Sequence, residues 1–190
     1  MTIIWYYICV KRKIRCIYID GIEKSGKTSV TREIRRFLKE KDKDLCEIYG
    51  IKNYQDRLNM QDKILNDNNN SFVLKEGSLM QVFYDYVKRD FGPSTLEKDF
   101  SSLVRKEKEI NHNFGAAHFF LIPEDEFALD RVFKEKKPHY VMNILNFYKN
   151  INLYTLTQGL DIRLIFFNEH DKIYDVRDKI LKLLKNNYEI

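Results

Sequence analysis

The sequence predicts a three-layer α/β fold: a parallel sheet of five strands, six if the N-terminal apolar run adds an edge, with helices on both faces. Three observations predict it. Short runs rich in Ile, Tyr, Phe and Cys alternate with longer stretches of helical periodicity, the order that builds βαβ units. The clearest run, AAHFFLI at 116–122, is almost wholly apolar, as a strand covered on both faces requires. And 190 residues, 44% of them hydrophobic, suffice for one sizeable core.

The elements follow in order. Residues 15–20 read as a buried strand, and 28–41 as a helix with Val30, Ile34, Phe37 and Leu38 on one stripe. A second strand at 45–49 ends at Gly50, and 57–65 reads as a short helix before the turn-rich loop DNNNS at 67–71. A short strand is expected at 72–74 and a helix at 78–89. Gly92 followed by Pro93 breaks the chain, and Ser94 and Thr95 offer an N-cap to a helix at 96–110. After the strand at 116–122, closed by Pro123, helices are expected at 124–135 and 140–157. A strand at 162–167 and a closing helix at 172–185 complete the pattern. Residues 1–14 read as an N-terminal extension and 15–190 as one domain.

Charged residues make up 32% of the chain with both signs interleaved, and the net charge is +5. That balance suits a solvated surface better than a nucleic-acid footprint. Lys11, Arg12, Lys13 and Arg15 form the densest basic cluster, with no RNA- or DNA-binding motif beside them. Cys9, Cys16 and Cys46 lack metal-ligand spacing and read as reduced thiols, which fits a cytoplasmic setting. No apolar run is long enough to span a membrane. IIWYYICV at 3–10 is too short, and its positive charges follow it instead of preceding it, so no membrane partner is expected.

The chemistry concentrates in Gly21-Ile22-Glu23-Lys24-Ser25-Gly26-Lys27-Thr28, which satisfies GxxxxGK[ST] between the first strand and the first helix. Glycines let the backbone wrap round phosphate, and the helix N-terminus adds partial positive charge. In this phosphate loop (P-loop), Lys27 would reach the β- and γ-phosphates of ATP and the Thr28 hydroxyl would ligate Mg²⁺. Ser25 and Ser29 belong to the same cradle. Asp20, directly before the loop, is either a ligand to Mg²⁺ or its waters, or a cap or solvated turn residue.

Four segments resemble the thymidylate kinase-like and deoxynucleoside kinase-like branch of P-loop kinases. IYIDGIEKSGKT resembles that family's opening strand and phosphate loop. LKEGSLMQVFYDY occupies the place of its acidic-Arg pair and following helix. HFFLIPEDEFALDRVFKEK resembles the strand, turn and helix that lead into its lid, here near 131–140. ILNFYKNINLYTL, with the strand and helix after it, resembles its C-terminal third.

The resemblance implies phosphoryl transfer from ATP, with Mg²⁺, to a small-molecule nucleoside monophosphate or nucleoside. Lys27, Glu76 and Arg131 would be catalytic, and Thr28, Asp20 and Glu76 would surround the metal. Glu23 and Lys24 would join the phosphate contacts, while Arg57 and Tyr54 would face the acceptor. A second reading is a P-loop protein that binds nucleotide with weakened catalysis and acts as a regulatory or structural partner. A kinase of nucleic-acid ends would want an extended basic groove, which the even charge spread disfavours. The stripe at 78–89 would serve a homodimer interface or core packing equally well.

Overall fold

A computed structural model describes residues 11–21, 25–48, 54–66, 71–77, 93–123, 159–168 and 170–190. Its elements are β1 (Arg12–Lys13), β2 (Cys16–Gly21), α1 (Lys27–Lys39), β3 (Leu45–Ile48), α2 (Tyr54–Leu65), β4 (Phe72–Glu76), α3 (Pro93–Phe114), β5 (Ala116–Pro123), β6 (Ile162–Phe167), α4 (Ile173–Asn187) and β7 (Tyr188–Glu189). The main sheet is five-stranded in the order β3-β4-β2-β5-β6, and every pairing in it is parallel. The predicted α/β fold with a parallel sheet is therefore observed. The apolar run at 3–10 and the helices expected at 78–89, 124–135 and 140–157 lie outside the described residues. Arg12–Lys13 pairs in parallel with Tyr188–Glu189, and Ile14 is buried.

The alternation of the strands sorts their side chains into two cores. Ile17, Ile19, Phe72, Leu74, Ala117, Phe119 and Leu121 pack on one face, against Val30, Ile34 and Leu38 of α1 and Val176, Ile180 and Leu184 of α4. On the other face Cys16, Tyr18, Val73 and Ala116 meet Ile64 of α2 and Ile110 of α3. Burial on both faces explains why these strands read as continuous apolar runs.

Several boundaries differ from expectation. α2 begins three residues before the expected 57, at Tyr54, and β4 runs on to Glu76 because Gly77 N–H still bonds Ile19 C=O at 2.9 Å. α3 starts at Pro93, so Ser94 and Thr95 lie inside its first turn and do not cap it. Proline fits a first helical position because its fixed φ is already helical and its missing N–H would bond nothing there.

β2 is the middle strand, with β3 and β4 on one side and β5 and β6 on the other. Connections diverge from it, and the C-terminal end of such a strand opens a crevice between them. The GxxxxGK[ST] segment follows β2 at that end.

Candidate functional site

The loop is shaped by two glycines. Gly21 has φ +147°, and a Cβ there would stand 2.9 Å from both Leu121 C=O and Ser25 Oγ, so only glycine lets β2 turn beside β5. Gly26 sits in the left-handed region at φ +85° as the residue before α1, with nothing within 4 Å of its would-be Cβ. Its carbonyl accepts the first helical bond from Val30 N–H at 3.0 Å. Lys27, Thr28 and Ser29 therefore form the first turn of α1, where backbone N–H groups have no intrahelical partner.

Glu76 reaches this turn from the end of β4. The Thr28 hydroxyl donates to Glu76 Oε1 at 2.7 Å across 48 residues of sequence. Asp20 is fully buried in β2, and its Oδ1 accepts the Gly21 N–H at 2.8 Å, so it is no solvated turn residue. Three oxygen-bearing side chains thus mark the C-terminal edge of β2 and β4. Ser25 Oγ, buried in the loop, has no hydrogen-bond partner among the described residues.

These features fit a nucleotide phosphate and a hard cation. The space round Gly26 is open among the described residues, and the neighbouring Ser25 Oγ is a buried polar atom with no partner among them. Thr28 and Glu76 offer the oxygen donors that Mg²⁺ prefers. Among the described residues no cluster of three His, Cys, Asp or Glu side chains could hold a metal unaided. A cation here would fill its shell from a hydroxyl, a carboxylate, phosphate oxygens and water, the usual habit of Mg²⁺.

Of the remaining candidates, Arg57 lies on the first turn of α2 and is only 2% exposed. Tyr54 opens that helix, and its side chain lies outside the described residues, as do Glu23, Lys24 and Arg131 entirely.

Beneath the site lies a polar row that the motifs did not announce. Lys75, Tyr18 and His118 stand in register across β4, β2 and β5 on the α2–α3 face. Lys75 and Glu107 of α3 form an ion pair at 3.5 Å, with side chains 1% and 0% exposed. Gln61 Nε2 donates to Glu107 Oε1 at 2.6 Å, and Lys75 Nζ lies 5.2 Å from the Tyr18 ring centre. The His118 ring sits 4.4 Å from that of Tyr18. Burial pushes the Tyr18 phenol well above its ordinary pKa, with the Glu107 charge adding to the rise. Burial lowers His118, against an opposing pull from Glu107. A signal for this row did exist: Glu107 falls between Leu103 and Ile110 on the buried stripe of α3, and Lys75 shares its pleat face with Val73. A charge at a core-facing position on two elements asks for a partner.

No protein-family model and no curated protein matches the sequence. Solved structures do. Thymidylate kinase from Ehrlichia chaffeensis matches with a TM-score of 0.51 at 12% identity, over 90% of this chain and 99% of that one. APE1195 matches at 0.46 and 12%, over 95% and 99%. An uncharacterized protein from Eubacterium ventriosum matches at 0.38 and 14%, over 90% and 98%. Identities this low speak to architecture alone, and only the first score is high enough to carry an argument. The chain has an α/β fold with a five-stranded all-parallel sheet that resembles the thymidylate kinase structure.

Proposed function

We propose that the protein is an ATP-dependent phosphotransferase whose acceptor is a nucleoside monophosphate or a nucleoside. The observation that carries this reading is the meeting of Thr28 and Glu76 at 2.7 Å, which brings the phosphate loop and the end of β4 into one site. A loop that merely turned the chain would need no carboxylate from another strand at its helix N-terminus. Bound Mg²⁺ would neutralise developing charge on the phosphates. The chain's own part is positioning. The first turn of α1 aims N–H groups at the donor phosphates, Lys27 places a cation there, and Glu76 orients the Thr28 hydroxyl. With a hydroxyl acceptor, Glu76 also stands at the strand end where a proton could be taken up. Arg131 is the candidate cation over the transferring group.

The burial of Lys75 favours a second reading. Its ammonium is committed to Glu107 inside the protein, so it is turned away from the edge where Glu76 works. A cation from β4 is then missing at the acceptor side, as in a protein that binds nucleotide with weakened transfer. Turnover of ATP measured across nucleosides and their monophosphates separates the two. Lys27→Ala should lower transfer by about 10²-fold or more, as loss of a positioned transition-state cation does. ATP·Mg²⁺ binding that depends on Lys27, with no acceptor stimulating turnover, would establish the second reading. Wild-type transfer by Lys27→Ala would remove the first.

A further inference from the structure

The opposite end of the sheet carries a cavity that the phosphate loop does not explain. β2 is six residues long, so its two ends are separated by roughly 20 Å at about 3.3 Å per residue. At its N-terminal end lies a cavity of about 640 Å³, walled by Arg12, Lys13 and Arg15 on one side and by Lys108 and His112 of α3 on the other. Among the described residues, no Asp or Glu lines it. The single sign is local: a neighbouring cavity of about 480 Å³ across the same arm sets Asp42, Asp44 and Glu189 against Lys13, Arg15 and Lys43.

We infer that the cationic cavity is a second binding site, built for the di- or triphosphate group of a small molecule. Its cations fall into two kinds. Arg12 and Arg15 are pinned: Arg12 donates to Asn111 Oδ1 at 2.6 Å, while Arg15 donates from Nε to Ser71 C=O at 2.7 Å and lies 4.6 Å over the Phe114 ring. An acid paired with Arg12, Asp161 at 3.8 Å, is already held by Arg163 at 3.0 Å and by the Tyr188 hydroxyl at 2.6 Å. Lys13 and Lys108, by contrast, make no ion pair or side-chain hydrogen bond among the described residues, and both are exposed. They face one space from two walls, so an anion of several charges satisfies them together where a single charge would not.

The usual reason for basic residues at a helix C-terminus, the unsatisfied carbonyls, is weak here. Phe114 C=O accepts from Arg15 N–H at 3.0 Å, and Asn111 C=O accepts from Gly115 N–H at 3.1 Å. The arm is also held close by design of the backbone. Gly115 has φ +69°, and a Cβ there would stand 2.3 Å from Lys13 C=O, so the wall carrying Lys13 can lie against α3 only over a glycine. The volume matches a site for a mononucleotide-sized ligand. Strand-tracking nucleic acid would want a longer groove and free aromatic faces, whereas the Phe114 face carries Arg15.

Calorimetry on the Lys27→Ala protein tests the site apart from the phosphate loop, so its outcome is independent of whether the protein transfers phosphate. Inorganic tripolyphosphate should bind at near-physiological salt, and Lys13→Ala/Lys108→Ala should weaken it by roughly tenfold or more. That pair is exposed, so its melting temperature should stay that of the parent. ATP binding more tightly than tripolyphosphate would mark a nucleotide as the ligand. Equal binding of the two would mark the polyphosphate alone; both outcomes support the site. Absence of binding, affinity unchanged in the double variant, AMP binding as well as ATP, or tighter binding of oligothymidylate would each overturn it.

Discussion

Thr28 and Glu76 are the residues on which the proposed chemistry turns, and their contact predicts graded effects. Glu76→Gln keeps the size and an acceptor for the Thr28 hydroxyl but removes the charge. It should lower Mg²⁺-dependent transfer by about tenfold or more while the apparent ATP affinity changes less, since one metal-shell carboxylate is lost and the cradle is not. Steady-state kinetics at varied Mg²⁺ reads this. Gly21→Ala should act on stability instead. At φ +147° and with 2.9 Å to Leu121 C=O, a methyl group must displace β5 backbone. A cost of about 1–3 kcal/mol is expected, read as a lower urea midpoint. Cys16 should be silent to alkylating reagents in the native state. It is fully buried, and burial together with the Glu107 charge pushes its thiol up to about 12, leaving almost no thiolate at neutral pH. Thiol counting before and after denaturation checks this. The glycines and Thr28 were legible in the sequence because the motif that holds them is a local string. Glu76 was legible only as a strand-end carboxylate, and its partner came from the fold.

At the scale of elements, β4 shows how one residue of register divides two roles. Adjacent side chains leave a strand on opposite faces, so Glu76 meets α1 while Lys75 enters the layer of α2 and α3. The Lys75–Glu107 pair ties β4 to α3 directly beneath the site. Removing one partner strands a charge in the interior, so Glu107→Ala should destabilise the fold by about 3–5 kcal/mol. Replacing both partners by apolar residues of similar size, as in Lys75→Met/Glu107→Leu, should recover most of that loss. Urea denaturation of Lys75→Met, of Glu107→Leu and of the double variant forms the cycle that checks it. If Glu107→Ala costs nothing, the pair has no structural weight. Most element positions were legible because hydrophobic period and turn residues are local signals. The start of α3 was misplaced since Ser94 and Thr95 resemble caps, while the proline ahead of them suits the first helical position better. Glu107 escaped notice because a single charge on an apolar stripe is invisible until the residue opposite is known.

Across the whole molecule, the sheet separates two ends of different character. The C-terminal edge gathers Asp20, Thr28 and Glu76, and the N-terminal edge gathers Arg12, Lys13, Arg15 and Lys108. Between them the buried polar row makes global stability depend on pH. Burial holds His118 below its ordinary 6.5 in the folded state, so it is neutral where the unfolded chain has begun to protonate. The unfolded state therefore binds more protons just below that value. Stability is full above about pH 6.5 and falls as pH drops through the folded pKa. Urea midpoints across pH 5–8, at about half-unit spacing, should show this slope, and His118→Asn should flatten it. A slope unchanged in His118→Asn would assign it to other groups.

The sequence by itself determined the class of fold, since the alternation of apolar runs with helical periods admits little but a parallel sheet covered on both faces. It also determined where the GxxxxGK[ST] motif lies, because its glycines, lysine and threonine fall within a single strand-turn-helix unit. The tertiary structure alone decided the order of the strands, the meeting of Thr28 with Glu76 and the burial of Lys75 with Glu107. It also turned the basic arm at Arg12 to Arg15 from a surface cluster into one wall of a cavity. Each of these depends on which distant segments share a face or an edge, and that follows from packing the whole chain around one sheet and from no local pattern.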